Sequence, residues 1–208
     1  MEQVTKLHFL VLGDCGTGKT TLVQHFLHDQ ALSQTLPTMV YDLAVKRIDD
    51  VTFGTLEFWV WDAAGDDRSH QNQAYQQLYY AKKNGIILLY DMTSLDSFIN
   101  VRDRWLPRLR SAQRIQQSQW RLCLVANKQD LAHQREVTTE EGRQLAHDHG
   151  MEYMELSSLE GFYEDMRQPF LLLAVQLIQS SAVKPEQSRS IILPTIIQES
   201  EKKESCCT

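Results

Sequence analysis

Gly13-Asp14-Cys15-Gly16-Thr17-Gly18-Lys19-Thr20 has the spacing G-x-x-x-x-G-K-[ST], and its flanks give that spacing meaning. The preceding residues 7–12, Leu-His-Phe-Leu-Val-Leu, predict a buried strand, and in residues 21–27 the apolar positions recur at helical spacing. Strand, glycine loop and helix in that order are the context of a phosphate loop. Gly13 and Gly18 allow backbone conformations that a side chain forbids, so successive N–H groups turn inward as an anion nest. A helix starting near Lys19 adds the positive end of its dipole. Lys19 is placed to reach the β- and γ-phosphates, and the Thr20 hydroxyl to be a Mg²⁺ ligand. The stretch predicts binding of a nucleoside triphosphate whose base must be read elsewhere.

The 208 residues, 42% of them apolar, suit one globular domain, placed at residues 1–182, with a tail at 183–208. A formal net charge of −6 argues against general nucleic-acid binding. The first residues, Met-Glu-Gln-Val-Thr-Lys, have no signal-peptide character, and no apolar run is long enough to span a bilayer. Cys15, Cys123, Cys206 and Cys207 do not make a disulfide framework, which predicts a reducing, cytosolic setting.

Along the chain, residues 29–37 read as a loop. Residues 41–46 and 55–61 alternate around Asp49-Asp50 and predict an antiparallel hairpin. Residues 66–84 are polar and partly helical in pattern. Residues 85–90, 122–126 and 151–156 predict buried strands. Residues 97–112 predict an amphipathic helix with Phe98, Val101, Trp105 and Leu109 on one stripe. Thr138 and Glu141 have capping-box spacing before another helix, and residues 169–178 fall in a last one. The alternation predicts an α/β, doubly wound, mostly parallel sheet, with its ligand at the carboxyl ends of the strands.

The remaining polar clusters fall at such strand ends. Asp62 opens Asp62-Ala63-Ala64-Gly65: the carboxylate can hold Mg²⁺ through water, and the Gly65 N–H can face a γ-phosphate. Asn127-Lys128-Gln129-Asp130 follows another strand. Guanine presents two adjacent donors, which the one carboxylate of Asp130 can accept together, whereas adenine has no such pair. Asn127 can support the base and the Lys128 stem can lie across its face. Ser157 and Ser158 follow the last strand, where backbone N–H groups suit the guanine oxygen.

With these pieces in order, the chain resembles a small GTPase of the Ras superfamily, most closely the Rab branch. The resemblance rests on the phosphate loop, Pro37-Thr38, Trp61 to Gly65, Tyr90-Asp91, Ser97-Phe98 with Trp105, Asn127 to Asp130 and Glu155 to Ser158, and spans about residues 6–181. It implies a P-loop domain with a six-stranded mostly parallel sheet and helices on both faces. It implies GTP, GDP and Mg²⁺ as ligands, and Thr38 as a first-switch Mg²⁺ ligand beside Thr20 and Asp62. Lys19, Gly65 and the following Asp66 take the catalytic positions. Gly13 to Thr21, Thr38, Gly65, Asn127, Lys128, Asp130, Ser157, Ser158 and Leu159 make up the nucleotide contacts. Effectors, an exchange factor and a GTPase-activating protein would bind the loops around Thr38 and after Gly65, which order with GTP and Mg²⁺.

Departures from the family pattern are specific. Asp66 stands where Gln usually orients the attacking water, which predicts slow intrinsic hydrolysis. Ala31 or Leu32 replaces the aromatic that stacks on the base, Leu43 replaces a phenylalanine, and Ser158-Leu159 replace Ala-Lys. The segment after Gly65 is long and glutamine-rich. In the tail, Lys184, Arg189, Lys202 and Lys203 are balanced by Glu186, Glu199, Glu201 and Glu204, around an apolar patch at 191–197. The final Ser-Cys-Cys-Thr is no C-a-a-X box; Cys206 and Cys207 resemble the Rab-type double geranylgeranylation signal. Two lipids suit stable anchoring, where one is marginal. The implied partners are a prenyl transferase with its escort protein and a GDP-dissociation inhibitor. The implied location is the cytoplasmic face of an intracellular membrane, exchanging with cytosol, in vesicle transport. Two alternatives fit some of the residues: a nucleotide-binding interaction subunit with little turnover, favoured by Asp66, and a P-loop kinase, disfavoured by Asn127 to Asp130.

Overall fold

The computed structural model describes residues 4–28, 41–65, 80–116, 120–158 and 163–180. The expectations for residues 29–37, for 66–79 and for the tail lie outside them. The order is β1 (Val4–Gly13), α1 (Lys19–His28), β2 (Tyr41–Asp50), β3 (Gly54–Ala63) and β4 (Gly85–Asp91). Then come α2 (Leu95–Asn100), a π-helical turn (Val101–Trp105), α3 (Leu106–Gln116), β5 (Arg121–Asn127) and a 3₁₀ turn (Gln129–Gln134). The described chain closes with α4 (Thr139–Asp148), β6 (Glu152–Glu155) and α5 (Tyr163–Gln179). None of these helices is long and apolar enough to cross a membrane.

The six strands form one sheet in the order β2-β3-β1-β4-β5-β6. β2 and β3 pair antiparallel and the other pairs are parallel. β1 explains itself in two halves. Up to His8 it alternates half-buried and buried, and from Phe9, where β4 joins its other edge, every residue is buried. The hairpin is closed as Asp49-Asp50 predicted: Asp50 Oδ1 accepts the backbone N–H of Thr52 (2.8 Å) and of Phe53 (2.9 Å).

Helices cover both faces of the sheet. Phe98, Val101, Trp105, Leu109, Leu145 and Ala146 from α2, the π turn, α3 and α4 pack on one face with Leu10, Leu12 and Leu88. Leu22, Phe26, Phe170 and Leu173 from α1 and α5 pack on the other with Phe9, Phe58 and Val125. The predicted Phe98, Val101, Trp105, Leu109 stripe is buried. The helical path is longer than 97–112, because the Ser94 side chain caps it by accepting the Ser97 N–H at 3.3 Å. It is also not regular, since a π turn interrupts it. The capping box forms: Thr138 Oγ accepts the Glu141 N–H at 3.2 Å, and Glu141 Oε2 accepts the Thr138 N–H at 2.8 Å. β6 is shorter than 151–156, and α5 begins before Pro169, which sits inside it.

Candidate nucleotide-binding site

β1, β3, β4 and β5 deliver Gly13, Asp62, Asp91 and Asn127 to their carboxyl ends, and Ser157 follows β6. β1 lies between β3 and β4, so the order of the sheet reverses at the loop after Gly13. That loop carries positive φ at Gly13 (143°), Gly16 (79°) and Gly18 (93°). At Gly18 a Cβ would stand 2.2 Å from the Asn127 Nδ2, so only glycine allows the two loops to touch.

The loop holds its own shape. The Asp14 carbonyl accepts Thr17 Oγ at 2.9 Å and Lys19 Nζ at 2.8 Å. Lys19 is buried at 6% exposure. Burial lowers its pKa, and nearby Asp62, Cys15 and Asp14 oppose that shift. A desolvated ammonium on the first turn of α1 fits a polyanion, whose charge would favour its protonated form. Thr20, also on that turn, donates to Asp62 Oδ2 at 2.5 Å. Two hard oxygen donors that converge from α1 and β3 suit Mg²⁺, which takes few protein ligands alongside phosphate oxygens. Thr21 is half-buried one residue on, and Cys15 and Gly16 are exposed at the loop.

Residues 127–130 are held by contacts that the sequence did not foretell. Asn127, 1% exposed, is a bridge. Its Nδ2 donates to the Thr17 carbonyl at 2.7 Å, and its Oδ1 accepts the Ser158 N–H and Oγ–H, both at 2.9 Å. It joins the phosphate loop, the β5 loop and the β6 loop. Lys128 takes the left-handed conformation (φ 68°), and its Nζ lies 2.6 Å from Asp91 Oδ2. Burial raises the Asp91 pKa, but Lys128 and Thr93 outweigh it and hold the group below its ordinary value. Asp130 Oδ1 accepts Ser157 Oγ at 2.5 Å, which orients the carboxylate. The hydroxyl of Ser157 thus contacts the Asp130 carboxylate.

Sequence reasoning did not assign four residues to the site. Asp91 had a signal, since it ends a strand as Asp62 does. Asn100 at the end of α2 and Trp105 at the end of the π turn reach the carboxylate of Asp14, with nothing local to announce it. His25, on the buried face of α1, lies near the Ser158 backbone; burial lowers its pKa, and the Ser158 backbone opposes that shift. Thr38, Asp66, Leu159, Cys206 and Cys207 lie outside the described residues.

The sequence model of the Ras family matches residues 8–179. The chain belongs to the Ras family. Several of its relatives carry Rab names. The Ras-related protein Rab-26 of Mus musculus is 31% identical over 198 residues, covering 95% of this chain and 72% of the relative. The Ras-related protein Rab-11A of Dictyostelium discoideum is 30% identical over 217 residues, covering 99% of this chain and 97% of the relative. The GTP-binding protein YPTM2 of Zea mays is 29% identical over 201 residues, covering 96% and 94%. The chain is thus a Rab-like member of a family of GTPases that bind GTP, GDP and Mg²⁺.

Proposed function

We propose that the protein is a Mg²⁺-dependent GTP/GDP switch with slow intrinsic hydrolysis, anchored to membranes by geranylgeranyl groups on Cys206 and Cys207 and acting in vesicle transport. The observation that carries the nucleotide reading is the Asn127 bridge. Its bonds to Thr17 and Ser158 tie the base-reading loop rigidly to the phosphate loop, as recognition of two ends of one molecule requires.

Each residue has a chemical role in this reading. Asp130, oriented by Ser157, accepts the paired N–H donors of guanine. Lys128, pinned at its end by Asp91, presents its stem to the base. The N–H groups of residues 14–20 and the Lys19 ammonium hold the phosphates. Thr20, Asp62 and Thr38 would hold Mg²⁺, which supplies charge neutralisation across the phosphates. Gly65 presents its N–H to the γ-phosphate. Asp66, shorter than glutamine and negatively charged beside a polyanion, orients water poorly. Effectors and regulators dock on the loops around Thr38 and after Gly65, and residues 183–208 serve as a lipid-bearing tail. A second reading, a nucleotide-binding interaction subunit without turnover, is favoured by Asp66 alone.

Chromatography of the nucleotide released from heat-denatured protein, as purified and after loading with Mg²⁺ and GTP, tests the proposal. A guanine nucleotide is expected, with a large GTP share. All GDP immediately after GTP loading would refute slow hydrolysis. No guanine nucleotide would refute the switch.

A further inference from the structure

A carboxylate in the second position of an anion-binding loop is an electrostatic problem. Asp14 carries one, in the loop whose N–H groups and Lys19 are there to bind phosphates. The structure spends two buried or half-buried donors on it. Asn100 Nδ2 lies 2.6 Å from Asp14 Oδ2, and Trp105 Nε1 lies 2.9 Å from Asp14 Oδ1. Each carboxylate oxygen thus has its own donor from the helical segment facing β1, while the Asp14 carbonyl is held by Thr17 and Lys19.

The π turn makes this pairing possible. Asn100 and Trp105 are five residues apart. In a regular α-helix they would point about 140° from each other and could not meet one carboxylate. Between them the helix takes the wider turn, in which the Leu106 N–H reaches back to the Val101 carbonyl. Such a turn brings residues five apart closer to one face than an α-helix does. Trp105 is fully buried, so its indole N–H needs an acceptor, and the phosphate loop provides it.

We propose that Asn100 and Trp105 are positioning residues for nucleotide binding: they turn the Asp14 carboxylate out of the phosphate nest and hold the Asp14–Cys15 backbone in the shape the phosphates need. This rests on reading the site as a guanine-nucleotide site. Asn100→Ala leaves Asp14 with one donor and more freedom to face the phosphates. Trp105→Phe does the same from the other oxygen.

The test is the release rate of fluorescently labelled GDP from the full chain, in Mg²⁺, for wild type, Asn100→Ala, Trp105→Phe and the double variant Asn100→Ala with Asp14→Asn. Each single variant is expected to release GDP roughly tenfold faster, the scale of one hydrogen bond to a charged group. The acceleration should shrink as salt screens the repulsion. Adding Asp14→Asn to Asn100→Ala should restore slow release, since a neutral amide does not repel phosphate. A merely structural role predicts no such rescue, because the double variant carries two lesions. Release of GDP from Asn100→Ala at the wild-type rate, or no rescue by Asp14→Asn, would overturn the proposal, even if Trp105→Phe fails to fold. Failure of the wild type itself to load labelled GDP would instead overturn the guanine reading, and this proposal with it.

Discussion

Gly65 shows how little room single residues have here. A Cβ on it would stand 2.3 Å from the Cys15 nitrogen and 2.6 Å from the Asp14 carbonyl carbon. Those are backbone atoms of the phosphate loop and cannot swing aside as a flexible side chain would. Gly65→Ala must therefore displace one loop or the other, and with it the N–H that is proposed to face the γ-phosphate. The expected outcome is a selective loss: GTP binding weakens about tenfold or more, the scale of a lost hydrogen bond to a charged group, while GDP binding changes little. Competition of the two nucleotides against a labelled analogue measures the ratio. An equal loss for both would mean that the substitution distorts the whole nest.

Among the elements, β6 and the start of α4 are joined by a charged cluster rather than by apolar packing alone. Glu155 accepts from Arg135 at 3.0 and 2.7 Å, from Thr139 Oγ at 2.7 Å and from Tyr153 Oη at 2.7 Å. Burial pushes the Glu155 carboxyl up, and these donors outweigh it and bring it down to about 2. A carboxylate in an unfolded chain titrates near 4.3. The folded group is the lower of the two, so its contribution is complete above about 4.3 and fades as pH falls toward about 2. Glu155→Gln is expected to cost about 2 kcal/mol at neutral pH, where charged hydrogen bonds are lost. The gap between wild type and variant should close on acidification through that window. Urea unfolding across the pH series reads it out, and a gap independent of pH would assign the cost to packing instead. Elsewhere Lys46 of β2 ties down the end of α1 by donating to the Phe26 carbonyl at 2.7 Å and the Leu27 carbonyl at 3.3 Å.

At the scale of the whole molecule, the domain and the tail are proposed to do separate work. The cores on the two sheet faces are filled by residues between Leu7 and Leu177. Membrane attachment is proposed for Cys206 and Cys207. The double variant Cys206→Ser with Cys207→Ser, made in a eukaryotic host, is expected to lose the mass of two prenyl groups and its membrane fraction. Its guanine-nucleotide retention and thermal midpoint should match those of the wild type. An unmodified wild-type mass would remove the lipid anchor from the proposal, and a changed midpoint would mean that the tail packs on the domain.

The order of elements, the phosphate loop and the place of residues 127–130 at the end of a strand were legible in the sequence because each is local. Residues 7–27 contain strand, loop and helix in one run, and Asn127 to Asp130 directly follow a buried strand. The capping box of Thr138 and Glu141 and the Asp50 turn were legible for the same reason, since donor and acceptor are three residues apart or closer. The tertiary structure alone decided what the side chains do to one another. Asn127 meets Thr17 across 110 positions, and Asp14 meets Asn100 and Trp105 across 86 and 91. Parallel crossovers bring such partners together, and no spacing in the chain records them. The π turn belongs to the same class: periodicity predicts a continuous helix over Phe98, Val101, Trp105 and Leu109. Its wider turn has meaning only with the carboxylate of Asp14 standing opposite.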